Sequence, residues 1–161
     1  MSTAQPEPRR IRVSAAVIRD DAGRLLVVRK AGTTAFMQPG GKPEPGETPA
    51  ETLSRELEEE IGVRIDAGDL HPLGRFTAAA ANEPGFLVVA DVFEASLGSQ
   101  RPRVGAEIAE LRWIGTVDAG GVDVAPLARE YFLPAPDTAS RPQPGSPRHG
   151  DAPSAASRSS R

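Results

Sequence analysis

Over residues 11–18 the chain is largely apolar, with β-branched or small side chains, the pattern of a partly buried strand. Asp20-Asp21-Ala22-Gly23 is turn chemistry, and residues 25–28 form a second apolar run, so the two segments together predict a β-hairpin. Residues 30–34 read as a loop and Phe36-Met37-Gln38 as a short strand that ends at Pro39-Gly40-Gly41. The period then becomes helical. At about 100° per residue, Ala50, Leu53, Leu57 and Ile61 fall in one narrow stripe, the face that packs on a sheet. The ends of this helix are well marked: Thr48 caps it, Pro49 suits its first position, Glu51 completes a Thr-x-x-Glu capping box and Gly62 stops it. Beyond it the pattern predicts one or two strands over 70–80, a turn at Asn82-Glu83-Pro84-Gly85, and the most apolar strand of the chain over 86–93. A loop over 98–105, a last strand over 111–114 and a short helix over 125–132 complete the series. Strands interleaved with one central and one C-terminal helix predict an α/β or α+β sandwich.

Composition divides the chain. After Leu133 large apolar residues almost vanish in favour of Pro, Ser, Ala, Gly and Arg, so residues 134–161 are expected to be disordered, because burial there cannot offset the entropy of ordering. Residues 1–9 read as a loose lead-in, leaving one domain over residues 10–133. The net charge is −3, and removing the tail's +2 leaves the rest at −5. That balance argues against nucleic acid as a partner held by a broad basic face, and the scattered arginines of the tail are a weak footprint for one. An acidic body that handles phosphates needs metal ions to offset repulsion. There is no Cys, which excludes disulfides and thiolate metal sites. No apolar run has signal-peptide length or approaches a membrane span, so a cytoplasmic protein without membrane partners is expected. A homodimer is left open.

The candidate chemistry lies on the central helix. Glu56, Glu59 and Glu60 gather on one flank of its apolar stripe, spanning about 100°, whereas Glu51 and Glu58 lie on the other. Glu56 and Glu60 are i,i+4 neighbours of like charge, which costs an isolated helix roughly 0.2–0.5 kcal/mol. The cluster also faces the negative end of the helix dipole. A hard divalent cation removes both penalties, since Mg²⁺ takes oxygen ligands from one or two carboxylates together with substrate phosphates. A merely solvated acidic face would not call for Gly41, Glu47 and Arg55 at their spacings.

At these residues the chain resembles the Nudix hydrolase family, whose signature runs G-x5-E-x7-R-E-U-x-E-E-x-G-U with U aliphatic. Gly41, Glu47, Arg55, Glu56, Leu57, Glu59, Glu60, Gly62 and Val63 fill every fixed position. The resemblance implies an α/β/α sandwich with a mixed sheet, one helix carrying the signature and a C-terminal helix. It implies hydrolysis of a nucleoside diphosphate linked to another group, with Mg²⁺ or Mn²⁺ as cofactor. Carried over by position, Glu56 and Glu60 would ligate the metal with the backbone carbonyl of Gly41. Glu59 would be a ligand or hold the attacking water, and Arg55 with Glu47 would form an ion pair that orients the cluster. Glu107 is a candidate further ligand or general base, with Glu110 and Glu83 in reserve. Phe36 and Gln38 stand where related enzymes line a nucleoside pocket, and Lys42 is placed to meet phosphate. Arg29 and Lys30 end a strand near the presumed cleft, where a phosphate contact and solvated surface charge are both open. Ala79 and Ala81 replace the Pro and Tyr that mark two subfamilies, which leaves a MutT-like nucleoside-triphosphate pyrophosphohydrolase or another housecleaning enzyme of the family. The alternative is a nucleotide-sensing module without catalysis, although such modules tend to lose signature carboxylates and this chain keeps them all.

Overall fold

A computed structural model describes residues 4–105 and 107–133. The expected disordered tail, 134–161, lies outside the described residues, as do residues 1–3 of the lead-in. Among the described residues, three strands and a helix are followed by three strands and a second helix: β1 Arg9–Val17, β2 Leu25–Lys30, β3 Gly40–Gly41, α1 Pro49–Ile61, β4 His71–Ala79, β5 Phe86–Glu94, β6 Ile108–Ile114 and α2 Pro126–Tyr131. One sheet has the order β3-β1-β5-β4, and β2 pairs with β6 in a second. β1 and β5 run parallel while the other pairs are antiparallel, so the sheet is mixed.

The expected hairpin is not formed. The turn is present, with Gly23 N donating to Asp20 O at 2.9 Å, but β1 and β2 meet only at the isolated bridge between Arg19 and Leu25. β1 instead pairs in continuous register with β5, from Arg9 against Phe86 to Val17 against Glu94. The C-terminal half of β1, Ala15 to Val17, is buried on both faces, and the parallel ladder sets it beside the buried Val92 and Phe93 of β5 between the layers. The two-residue turn was a local signal, and a nine-residue non-local pairing outweighs it. The segment over 36–38 contributes single bridges, Met37 to Val28 and Phe36 to Val124, and no full strand.

Alternation along the strands sends side chains into two cores on opposite faces. Ala15, Val17, Leu25, Val27 and Val92 pack with Leu127 and Ala128 of α2. Ala16, Ile18, Leu26, Val28 and Phe93 pack with Leu53, Leu57 and Ile61 of α1. Helices therefore cover both faces in an α/β/α sandwich. Each of the three α1 side chains is fully buried, worth about 1.5–3 kcal/mol apiece relative to exposure. Among the described residues no helix is long and apolar enough to cross a membrane.

Candidate active site

The site is set by the way α1 begins and ends. Thr48 caps the first turn by accepting from Glu51 N at 3.2 Å, and Pro49 occupies the first helical position. The capping box is only half formed, because Glu51 Oε1 accepts from the Thr48 hydroxyl rather than from its backbone. At the other end Gly62 adopts φ 67°, and Gly62 N and Val63 N return to Glu58 O and Leu57 O, a Schellman closure. The anchored apolar stripe then holds Glu56 and Glu60 against the turn at Gly40 and Gly41.

Arg55 organises the acids. Its Nε and Nη2 donate to the two oxygens of Glu47 at 2.8 and 2.9 Å. Its Nη1 reaches Glu56 Oε1 at 2.9 Å and Glu59 Oε2 at 3.3 Å, while Nη2 also donates to Lys42 O at 3.1 Å. These hydrogen bonds hold the Glu47 carboxyl down to about 2 and raise Arg55 above its ordinary value. Glu60 is 5% exposed and receives one backbone donor, Gly40 N at 3.2 Å. Burial pushes its carboxyl up to about 8, opposed by that hydrogen bond and by the charge of Lys30. Burial also raises Glu56, against the pull of Arg55. Glu59, by contrast, is exposed.

A cavity of about 720 Å³ opens beside these groups, within the range of small-molecule sites. Its lining includes the charged Glu56, Glu59, Glu107, Arg55, Lys30 and Lys42 together with the aliphatic Ile11, Val13, Val88 and Leu127. Gln38 lines it too: its Nε2 donates to Ala16 O at 3.0 Å, and its buried Oε1 has no partner. Glu83 also borders the cavity.

Three residues singled out by the sequence are placed elsewhere. Phe36 is not among the lining residues. It is buried in the α2-side core, its backbone is bonded to Asp123 O and Ala125 N, and Arg112 lies 4.9 Å over its ring. Arg29 and Arg112 lie over its ring, which is buried in that core. Glu110 pairs with Arg29 at 3.5 Å and Arg112 at 2.7 Å, which occupies both the reserve acid and one candidate phosphate contact away from the cavity.

The NUDIX domain family matches residues 8–135. The chain belongs to the Nudix family. It is 44% identical over 57 residues to an 8-oxo-dGTP diphosphatase of Haemophilus influenzae, covering 33% of this chain and 42% of that one. It is 31% identical over 104 residues to a MutT-like protein of Streptomyces ambofaciens, covering 65% and 62%. A MutT NUDIX hydrolase from Burkholderia pseudomallei has the same fold, with a TM-score of 0.55, 27% identity and coverage of 66% and 83%. The chain thus spans less than two thirds of the length of the two curated relatives.

The Nudix resemblance implies a divalent metal, and the residues fit one. Glu60 is a buried carboxylate whose charge is offset by a single donor. A Cβ at Gly41 would lie 2.5 Å from the Glu56 carboxyl, so a larger residue there would push that carboxyl out of its present position against the turn. The donors here are hard oxygens, as Mg²⁺ and Mn²⁺ require. Among the described residues no three His, Cys, Asp or Glu side chains form a closed metal cluster.

Two positioning glycines of the Nudix site were missed from sequence. Gly40, at φ 153°, donates to Glu60, and a Cβ there would overlap Ser14 O on β1. Gly105 N donates to Glu60 O at 2.7 Å, and a Cβ there would overlap Glu59 O. This approach docks the 103–105 loop on the end of α1 and brings Glu107 near enough for its charge to raise Glu60. The doubled glycine after Pro39 was a visible signal for the first. The second had none, since only the fold brings residue 105 to α1.

Proposed function

We propose that the protein is a divalent-metal-dependent Nudix pyrophosphohydrolase that cleaves a diphosphate linkage in a nucleoside triphosphate or related nucleotide. The observation that carries the reading is the buried Glu60, hydrogen-bonded to Gly40 behind Glu56, Gly40 and Gly41, which themselves line a cavity that also has aliphatic walls. Glu56, Glu60 and the Gly41 backbone would hold Mg²⁺ or Mn²⁺, with Glu59 or Glu107 as further ligand. When bound, the metal offsets the repulsion between anionic phosphate oxygens and attacking water and stabilises the departing phosphate.

The chain's own residues do the rest. Arg55, fixed on Glu47, keeps Glu56 and Glu59 from spreading apart under their mutual repulsion. Glu59, exposed and without the burial that raises Glu60, or Glu107 on the facing loop, takes the proton from water as general base. Lys42, exposed beside Gly41, meets the phosphate chain. Gln38 offers its partnerless Oε1 to a donor on the substrate, and the aliphatic wall packs against the nucleoside. Among the described residues no aromatic side chain lines the cavity, so the base is held by aliphatic contact rather than by ring stacking.

The test is a panel of nucleoside triphosphates, oxidised nucleotides, nucleotide sugars and dinucleotides, with products separated by ion exchange. We expect Mg²⁺-dependent formation of a monophosphate or other phosphate product from at least one of them, abolished by EDTA. Tight binding of a nucleotide without turnover of any panel member would instead favour a sensing module.

A further inference from the structure

Lys30 ends β2 and has been used so far only as a cavity-lining residue. Its direction follows from the strand. Leu26 and Val28 pack into the α1-side core, whereas Leu25 and Val27 pack into the α2-side core. Arg29 follows the second set and lies over Phe36, 5.9 Å from the ring centroid. The register shift at this end pairs Arg29 with Glu110 and Lys30 with Ile108, so the extra residue lies in β6 and the alternation of β2 continues unbroken. Lys30 is thereby aimed to the α1 side, half-buried, in the lining of the cavity.

There its ammonium is close enough to favour the ionised forms of both Glu56 and Glu60. Yet it enters no ion pair among the described residues, while Arg29, Arg55 and Arg112 all do. A half-buried ammonium without a direct partner has given up part of its hydration for only a longer-range attraction to those acids. A compact charge with three rotatable donors is well suited to a tetrahedral phosphate oxygen.

We infer that Lys30 is a phosphate-binding residue, its ammonium holding a non-bridging oxygen of the substrate's diphosphate against the edge of α1 formed by Glu56 and Glu60. The inference rests on the diphosphate reading of the site. It differs from a role in which Lys30 only dilutes the carboxylate charge, because the two respond oppositely to removal. A charge diluter, once removed, leaves a site that binds Mg²⁺ more tightly and pyrophosphate no less well. A phosphate ligand, once removed, costs pyrophosphate affinity.

Calorimetric titration of Lys30→Met and Lys30→Arg with Mg²⁺ alone, and with inorganic pyrophosphate in saturating Mg²⁺, separates these. We expect Lys30→Met to bind Mg²⁺ at least as well as the wild type and to bind pyrophosphate roughly tenfold or more weakly, the loss of one charge-assisted hydrogen bond. Lys30→Arg should recover most of that affinity. Pyrophosphate affinity in Lys30→Met equal to that of the wild type, or no pyrophosphate binding by the wild type, overturns the inference. If the wild type binds pyrophosphate, loses it in Lys30→Met and yet hydrolyses no nucleotide, the hydrolase reading fails and the assignment of Lys30 stands.

Discussion

A carboxylate pushed up to about 8 by burial gives the protein a pH dependence centred on one residue. In the unfolded chain Glu60 loses its proton near the ordinary carboxylate value of 4.5; in the fold it keeps the proton up to about 8. The native state therefore binds more protons across that interval, and stability falls as pH rises from about 4.5 to about 8. Glu47 acts in the other direction: held at about 2 by Arg55, it contributes stability above 4.5 that is lost as pH falls towards 2. In EDTA we expect the thermal midpoint to decline between pH 5 and 8, and Mg²⁺ to raise it most at the alkaline end, where Glu60 is ready to ionise. Differential scanning calorimetry checks this, and Glu60→Gln should flatten both the decline and the gain. A midpoint insensitive to pH and to Mg²⁺ in the wild type would contradict the assignment of Glu60. The i,i+4 spacing of Glu56 and Glu60 was readable as a shared edge, because helix geometry alone decides it. The burial of Glu60 was not, since it depends on Gly40 and on the 103–105 loop, which approach from elsewhere in the chain.

At the scale of elements, α1 was legible almost to the residue because its signals are local: a capping threonine, an N-terminal proline, a four-residue apolar stripe and a terminal glycine. The strands were legible as segments but not as partners. The turn at Asp20 to Gly23 promised a hairpin, while β1 found its partners in β5 and β3, which no local pattern announces. Phe36 failed for a related reason, since its ring is buried in the core with Val124, far along the chain. The contact between the 103–105 loop and the end of α1 is the element-scale feature with the clearest consequence. Gly105→Ala would set a Cβ against the Glu59 carbonyl, forcing the loop off the helix and breaking its hydrogen bond to Glu60 O. We expect a loss of about 1–3 kcal/mol in urea denaturation, together with a weaker response to Mg²⁺ as Glu107 is carried away. Unchanged stability would show that the loop docks by other contacts.

For the molecule as a whole, the two cores on opposite faces make the sheets a rigid wall, and the cavity with its charged and aliphatic lining follows from which strand residues face which helix. Net charge argued against a broad basic binding face, and the signature pointed to the Nudix family from a span of only 23 residues between Gly41 and Val63. Gln38, Glu83 and the aliphatic residues that line the cavity come together from separate segments and leave no contiguous motif. The central claim, that metal-dependent hydrolysis runs at Glu60 and its neighbours, is tested most directly by phosphorus NMR of a nucleotide substrate turned over by wild type and Glu60→Gln side by side in saturating Mg²⁺. The account predicts a rate lower by about 100-fold or more in the variant, with the fold intact by circular dichroism. Near-normal turnover by folded Glu60→Gln would contradict it.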